Sequence, residues 1–112
     1  MPEQPIAGQD AEKLLKDYQL LQEQIRIAAM QIDQLKLQQG ELATAEAEVN
    51  KATGKVYVTI GGIIVESDKE AALKNIAERK ENNDIRLQSM TKQLTELRTR
   101  EKQLRDKISQ LK

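Results

Sequence analysis

The stretch Lys55-Val56-Tyr57-Val58-Thr59-Ile60-Gly61-Gly62-Ile63-Ile64-Val65-Glu66 differs in kind from everything on either side of it. Val, Ile, Thr and Tyr suit a pleated, partly buried surface. Gly61-Gly62 splits them into two short runs, and adjacent glycines suit a two-residue turn with positive φ at both positions. The stretch therefore reads as a β-hairpin over residues 55–66, pairing Ile60 with Ile63, Val58 with Val65 and Val56 with Ser67. Side chains alternate along a strand. One face then carries Val56, Val58, Ile60, Ile63 and Val65, and the other Tyr57, Thr59, Ile64 and Glu66.

Outward from this pivot the spacing of apolar residues changes from two to alternating threes and fours. The seam before it reads Ala11, Leu14, Tyr18, Leu21, Ile25, Ala28, Ile32, Leu35, Gln39, Leu42, Glu46, Val49. The seam after it reads Leu73, Ile76, Lys80, Asn83, Leu87, Met90, Leu94, Leu97, Glu101, Leu104, Ile108, Leu111. This heptad repeat keeps one helix stripe facing one partner stripe. It predicts helices over residues 10–50 and 68–112, each roughly 60 Å long. The fold class is mainly α: a long antiparallel coiled-coil helical hairpin with one β-hairpin at its closed end, one domain over residues 1–112.

Local signals mark the ends. Pro2, Pro5 and Gly8 make residues 1–9 a disordered lead, and Asp10 a candidate N-cap. Asn50, Thr53 and Gly54 supply stop signals, with Gly54 suited to a left-handed position. Ser67-Asp68-Lys69-Glu70 fits a capping box opening the second helix.

Folding back about Gly61 makes facing positions sum to 122, so Leu14 meets Ile108, Tyr18 meets Leu104, Ile25 meets Leu97, Ile32 meets Met90 and Leu35 meets Leu87. Gln39 then falls opposite Asn83, and matched amides inside a seam penalise slipped registers. This favours pairing within one chain over pairing between chains. Glu46 would face Ile76, and Lys80 would face Leu42. Gly40, in a helix interior, lowers local stability by about 1 kcal/mol relative to Ala and suggests a soft point.

Composition excludes much else. The chain has 112 residues with no His, Cys, Phe or Trp, and charged residues make up 32% of it. Without His or Cys the commonest general base, nucleophile pairs and zinc ligands are missing. Carboxylate pairs such as Glu46 with Glu48 and Glu78 with Glu81 read as solvated helix faces. No catalytic residue, cofactor or metal is expected, and the chain does not read as an enzyme.

Charge is balanced at 18 basic and 18 acidic residues, which gives no reason to expect nucleic acid or membrane as a partner. The excess is local: residues 10–50 hold eight acidic and four basic residues, residues 68–112 eight and twelve. Arg98, Arg100, Lys102, Arg105 and Lys107 have acidic neighbours and no interleaved aromatics, so a solvated face is favoured over a nucleic-acid stripe. No signal segment or spanning run is present, and a cytoplasmic location is the expectation.

A lone two-stranded hairpin is marginal in water, and its edges invite strand addition. The expected assembly surface is Val56, Tyr57, Val58, Ile60, Gly61, Gly62, Ile63, Ile64 and Val65. In the alternative, the hairpin folds onto its own helix ends. Near the termini Leu14, Leu15, Tyr18, Leu20, Leu21, Ile25, Leu104, Ile108 and Leu111 form a candidate surface for unfolded chains. Among these the seam residues could equally finish the coiled coil, whereas Leu15, Leu20 and neighbouring Ile27 lie off the seam and should be exposed.

A single hairpin between two long helices, with Val56-Tyr57 on the first strand, Gly61 at the turn, Ile64-Val65 on the second and Lys69-Glu70 opening the next helix, resembles the β-class subunits of the prefoldin family. The resemblance covers nearly the whole chain, and the α class carries two hairpins instead of one. It implies an ATP-independent holdase in a hetero-hexamer of two α-class and further β-class subunits. The hairpins would form paired β-barrels, the coiled-coil tips would capture unfolded proteins, and a group II chaperonin would receive them. Eukaryotic members favour actin and tubulin, archaeal ones are broad, and the residues fit either lineage. The second hypothesis is a structural coiled-coil adaptor or tether whose hairpin is only a dimerisation clasp.

Overall fold

A computed structural model of the chain describes residues 8–111. The elements in order are α1 (Gly8–Lys51), β1 (Val56–Ile60), β2 (Ile63–Ser67) and α2 (Lys69–Ser109). The expected leader falls largely on residues 1–7, outside the described ones. Contacts group the chain into two units. One joins the residues up to Ile32 with those from Ser89 onward, and the other is Asp33–Gln88.

The strands pair antiparallel in the register expected of a two-residue loop, Ile60 with Ile63, Val58 with Val65 and Val56 with Ser67. The turn glycines have φ of 56° for Gly61 and 82° for Gly62, the signature of a type I′ turn. Such a turn matches the right-handed twist of its strands. Any residue with a Cβ is strained at these angles.

The helix ends differ from the simplest reading. Asp10 does not cap α1; it lies in the first turn, where its charge favours the positive end of the helix dipole. Gly54 is not left-handed, since only the turn glycines have positive φ among the described residues. Two other groups close the end of α1. The Ala52 amide donates to the Val49 carbonyl at 3.1 Å, and Lys69 Nζ donates to the Asn50 carbonyl at 2.7 Å. A cation at a helix C-terminus meets the negative end of the dipole as well as an unpaired carbonyl.

Nor does Ser67 cap α2. It ends β2, opposite Val56, so its backbone belongs to the strand ladder. Asp68 caps instead, its Oδ1 accepting from the Ala71 amide at 2.7 Å while its carbonyl accepts from the Ala72 amide at 3.0 Å. A carboxylate here also gains from the dipole, which a hydroxyl does not.

In the unit holding both chain ends, Leu21, Ala28 and Leu97 form a buried cluster, with Ile25, Met90, Leu94 and Leu104 packed against it. Ile25 and Leu97, expected to face each other, both belong to it. No polar residue is buried as a whole among the described residues, and every buried residue but Val56 and Ala72 lies on a heptad seam. The core is thin because each helix turns only one stripe inward.

In the Asp33–Gln88 unit the polar seam residues pair differently from the sum rule. Asn83 Nδ2 donates to Gln38 Oε1 at 3.4 Å, not to Gln39, and the Gln39 Oε1 is buried without a partner. Glu46 and Lys80, each expected opposite an apolar residue, meet each other, with Lys80 Nζ 3.5 Å from Glu46 Oε2. Long side chains reach along a seam by more than one position, so a sum rule for Cα positions underestimates which polar ends can meet. α1 runs without interruption through Gly40, where Thr44 Oγ1 donates back to the Gly40 carbonyl at 3.0 Å.

Two substitutions test this account. Leu97→Ala should destabilise the chain by about 2–4 kcal/mol, read from urea denaturation followed by circular dichroism. Gln39→Leu should stabilise it by roughly 1–2 kcal/mol, since it removes a buried acceptor with no donor. A lower denaturation midpoint for Gln39→Leu would mean that the amide is satisfied in solution.

Candidate functional site

The hairpin leaves an unusual amount of apolar surface uncovered. Val56 is buried and Val58 half-buried, so the strand start is already covered by this chain itself. That corrects the expectation that all of the first face awaits another subunit. Ile60, Ile63 and Val65 remain exposed on that face, and Tyr57 (63%) and Ile64 (72%) are exposed on the other. Gly61 and Gly62 are exposed at the turn and have nothing within reach of an added Cβ. Burying one side chain of this size contributes about 1.5–3 kcal/mol. An isolated two-stranded sheet has no such surplus to leave in water.

The two free edges are unequal. Ile60 and Ile63 flank the turn as a hydrogen-bonded pair, so by alternation Thr59 and Ile64 point their backbone groups out of the hairpin. Thr59 lies on the β1 edge, and its carbonyl accepts from Arg79 Nη2 of α2 at 3.3 Å. Among the described residues, no side chain donates to or accepts from the backbone of Ile64 or Glu66 on the β2 edge. Lys55 and Glu66 pair at 3.2 Å at the base of the hairpin. Added strands therefore meet one covered acceptor, the Thr59 carbonyl, on an otherwise open β1 edge, and an open ladder on the β2 edge. No sequence signal singles out Arg79, because only the fold brings it to within one hydrogen bond of a residue 20 positions earlier.

The second candidate surface lies in the unit that holds the chain ends. Leu21 is buried there, and Leu14, Tyr18, Ile25, Leu104 and Ile108 are half-buried, as seam positions are. Leu15, Leu20 and Ile27 are exposed, as their off-seam spacing requires, and Leu111 is exposed at the helix end. Met30 is also exposed, a position the heptad reading passed over. Its angular place around α1 is close to that of Ile27 and far from Ala28, so the helical period could have found it.

An open groove here is lined by Asp17, Leu20, Leu21 and Gln24 of α1 and by Arg100, Gln103, Leu104 and Lys107 of α2. The candidate tip residues are thus not all in one place. Leu20, Leu21 and Leu104 share the groove, and the others do not line it. On the solvent side of α1, Arg26 bonds to Glu23 and holds that carboxyl below its ordinary value, chiefly through the hydrogen bond.

No group of three or more His, Cys, Asp or Glu able to hold a metal occurs among the described residues. No helix among them is long and apolar enough to cross a membrane.

Arg79→Ala should expose the Thr59 carbonyl and raise self-association of the isolated chain, read as a shift to larger species in sedimentation velocity. An unchanged distribution would mean that Arg79 does not guard the edge.

A family model described as a prefoldin subunit matches residues 12–112. The chain is similar to a prefoldin subunit beta of Methanosarcina acetivorans, 34% identical over 94 residues, covering 82% of this chain and 80% of the relative. It is similar also to a prefoldin subunit beta of Thermococcus onnurineus, 34% identical over 94 residues, covering 84% and 80% respectively. Its fold matches the crystal structure of the prefoldin beta subunit from Thermococcus strain KS-1, with a TM-score of 0.82, 25% identity and 96% of each chain covered.

Proposed function

Since the chain belongs to the prefoldin family, as a β-class chaperone subunit that assembles with other prefoldin subunits, we propose that it acts as an ATP-independent holdase within a hetero-hexamer of α-class and β-class subunits. The β-hairpin joins it to its neighbours, the coiled-coil tips take unfolded proteins, and a group II chaperonin receives them in the cytoplasm. The observation that carries the assembly half is the exposure of Tyr57, Ile60, Ile63, Ile64 and Val65 within ten residues of strand. Surface of this kind on a sheet with unpaired edges is stable only when another strand covers it.

Capture of clients rests on different residues. Leu15 and Leu20 are exposed on α1 near the chain ends, above half-buried Leu14, Tyr18, Ile25, Leu104 and Ile108, and Leu111 is exposed just past the end of α2. A thin seam with exposed Leu beside it gives an adaptable apolar surface that needs no particular client sequence.

The two surfaces separate in one experiment. Removing residues 1–20 and 105–112 should leave the hetero-hexamer intact by mass but weaken suppression of client aggregation. Replacing Ile60 and Ile63 by Asp should abolish assembly while the isolated chain keeps its helical signal. A complex that assembles normally without Ile60 and Ile63 would refute the hairpin's role. A homodimer with no effect on aggregation would instead favour a structural tether.

A further inference from the structure

The groove between Leu20 and Lys107 has an apolar floor and an uneven charge. Leu21 is buried and Leu104 half-buried beneath it, and Leu20 stands exposed on the α1 wall. Arg100 and Lys107 are exposed on the α2 wall. They are seven positions apart, so they lie on one helix face about 10 Å apart. Neither is within ion-pair distance of a carboxylate among the described residues, and neither is Asp17 across the groove paired with a cation. Two free cations on one wall thus face a single free carboxylate. Gln24 and Gln103 add amides that both donate and accept, as the main chain of an unfolded segment requires.

We propose that this groove selects unfolded segments in which two carboxylates three residues apart flank apolar residues, one carboxylate for Arg100 and one for Lys107. The proposal rests on the client-tip reading above and adds a chemical class to it. Unfolded chains often visit polyproline II, which has three residues per turn and a rise of about 3.1 Å. Side chains at i and i+3 then lie on the same side, about 9 Å apart. That matches the separation of the two cations, and with three residues per turn one of the two apolar residues between them turns toward Leu21 and Leu104. The long stems of Arg and Lys absorb the remaining difference. Two adjacent carboxylates can reach only one of the cations at a time.

The test uses the assembled complex of this chain with an α-class subunit and four fluorescent peptides sharing one apolar core. They carry two Glu at i and i+3, two adjacent Glu, two Lys at i and i+3, or two Gln. The i, i+3 acidic peptide should bind tighter than the Lys peptide by roughly three- to thirtyfold at low salt. The preference should shrink as salt rises. In the double variant Arg100→Glu, Lys107→Glu the order should invert, with the Lys peptide ahead, while the helical signal is unchanged. Capture of none of the peptides would sink the tip reading itself. Equal capture of all four would leave that reading standing and overturn the charge selection. Acidic peptides that bind alike at both spacings would overturn the paired contact, as would a double variant that keeps the original order.

Discussion

The hairpin end of this chain depends on two backbone angles, the positive φ of Gly61 and Gly62. A type I′ turn allows one strand register, and that register decides which side chains share a face. A slip by one residue would carry Val56, Val58 and Ile60 to the other side of the sheet. The same turn decides which backbone groups point outward. Thr59 therefore offers its carbonyl to Arg79, and the β2 edge stays open. The strand exits are fixed in turn, with Ser67 held opposite Val56 and Asp68 left free to start α2. The Lys69 ammonium one residue later closes the end of α1. Turn, register and both helix ends form one chain of consequences.

Beyond the hairpin the helices are held by a narrow apolar stripe, and charge adds little. The acidic excess of α1 and the basic excess of α2 suggest mutual attraction, yet among the described residues the ion pair between the two helices is Lys80 with Glu46. Partly exposed pairs contribute about 0–1 kcal/mol. The other helix pairs, Glu23 with Arg26 and Glu101 with Arg105, lie within one helix. The stability comes from the apolar stripe, whose buried seam residues include Leu21, Ala28, Ile32, Leu35, Ile76 and Leu97. The buried Gln39 oxygen is the exception, a polar atom retained in the stripe without a donor. It sits one residue from Gly40, so an unpaired buried acceptor and a weak helix former are neighbours in α1.

Apart from Leu37 and Ile85 on the helices of the Asp33–Gln88 unit, the exposed large apolar residues among the described ones fall into two groups with different chemistry around them. On the hairpin they are β-branched or aromatic and lie on a rigid sheet, suited to one fixed neighbour. Beside the chain ends they are mostly Leu and Met on helix, flexible side chains bordered by Gln, Arg and Lys. Rigid, edge-bearing surface fits permanent assembly, and adaptable surface fits changing clients.

Periodicity alone determined most of this protein. Gly61-Gly62 between β-branched runs specified the turn and the strand register, and threes and fours specified both seams, because local sterics and side-chain geometry act within a few residues. The exposure of Leu15, Leu20 and Ile27 follows from the same period. Tertiary structure decided what depends on groups distant in sequence. Asp68 in place of Ser67 as the cap, Gln38 in place of Gln39 beside Asn83, the Lys80–Glu46 pair and the Lys69 closure of α1 all turn on which side-chain ends meet across the fold. The burial of Val56 and the covering of Thr59 by Arg79 belong there too. Heptad spacing specifies where a Cβ points, but the reach of a long polar side chain is settled only by the partners it finds in three dimensions.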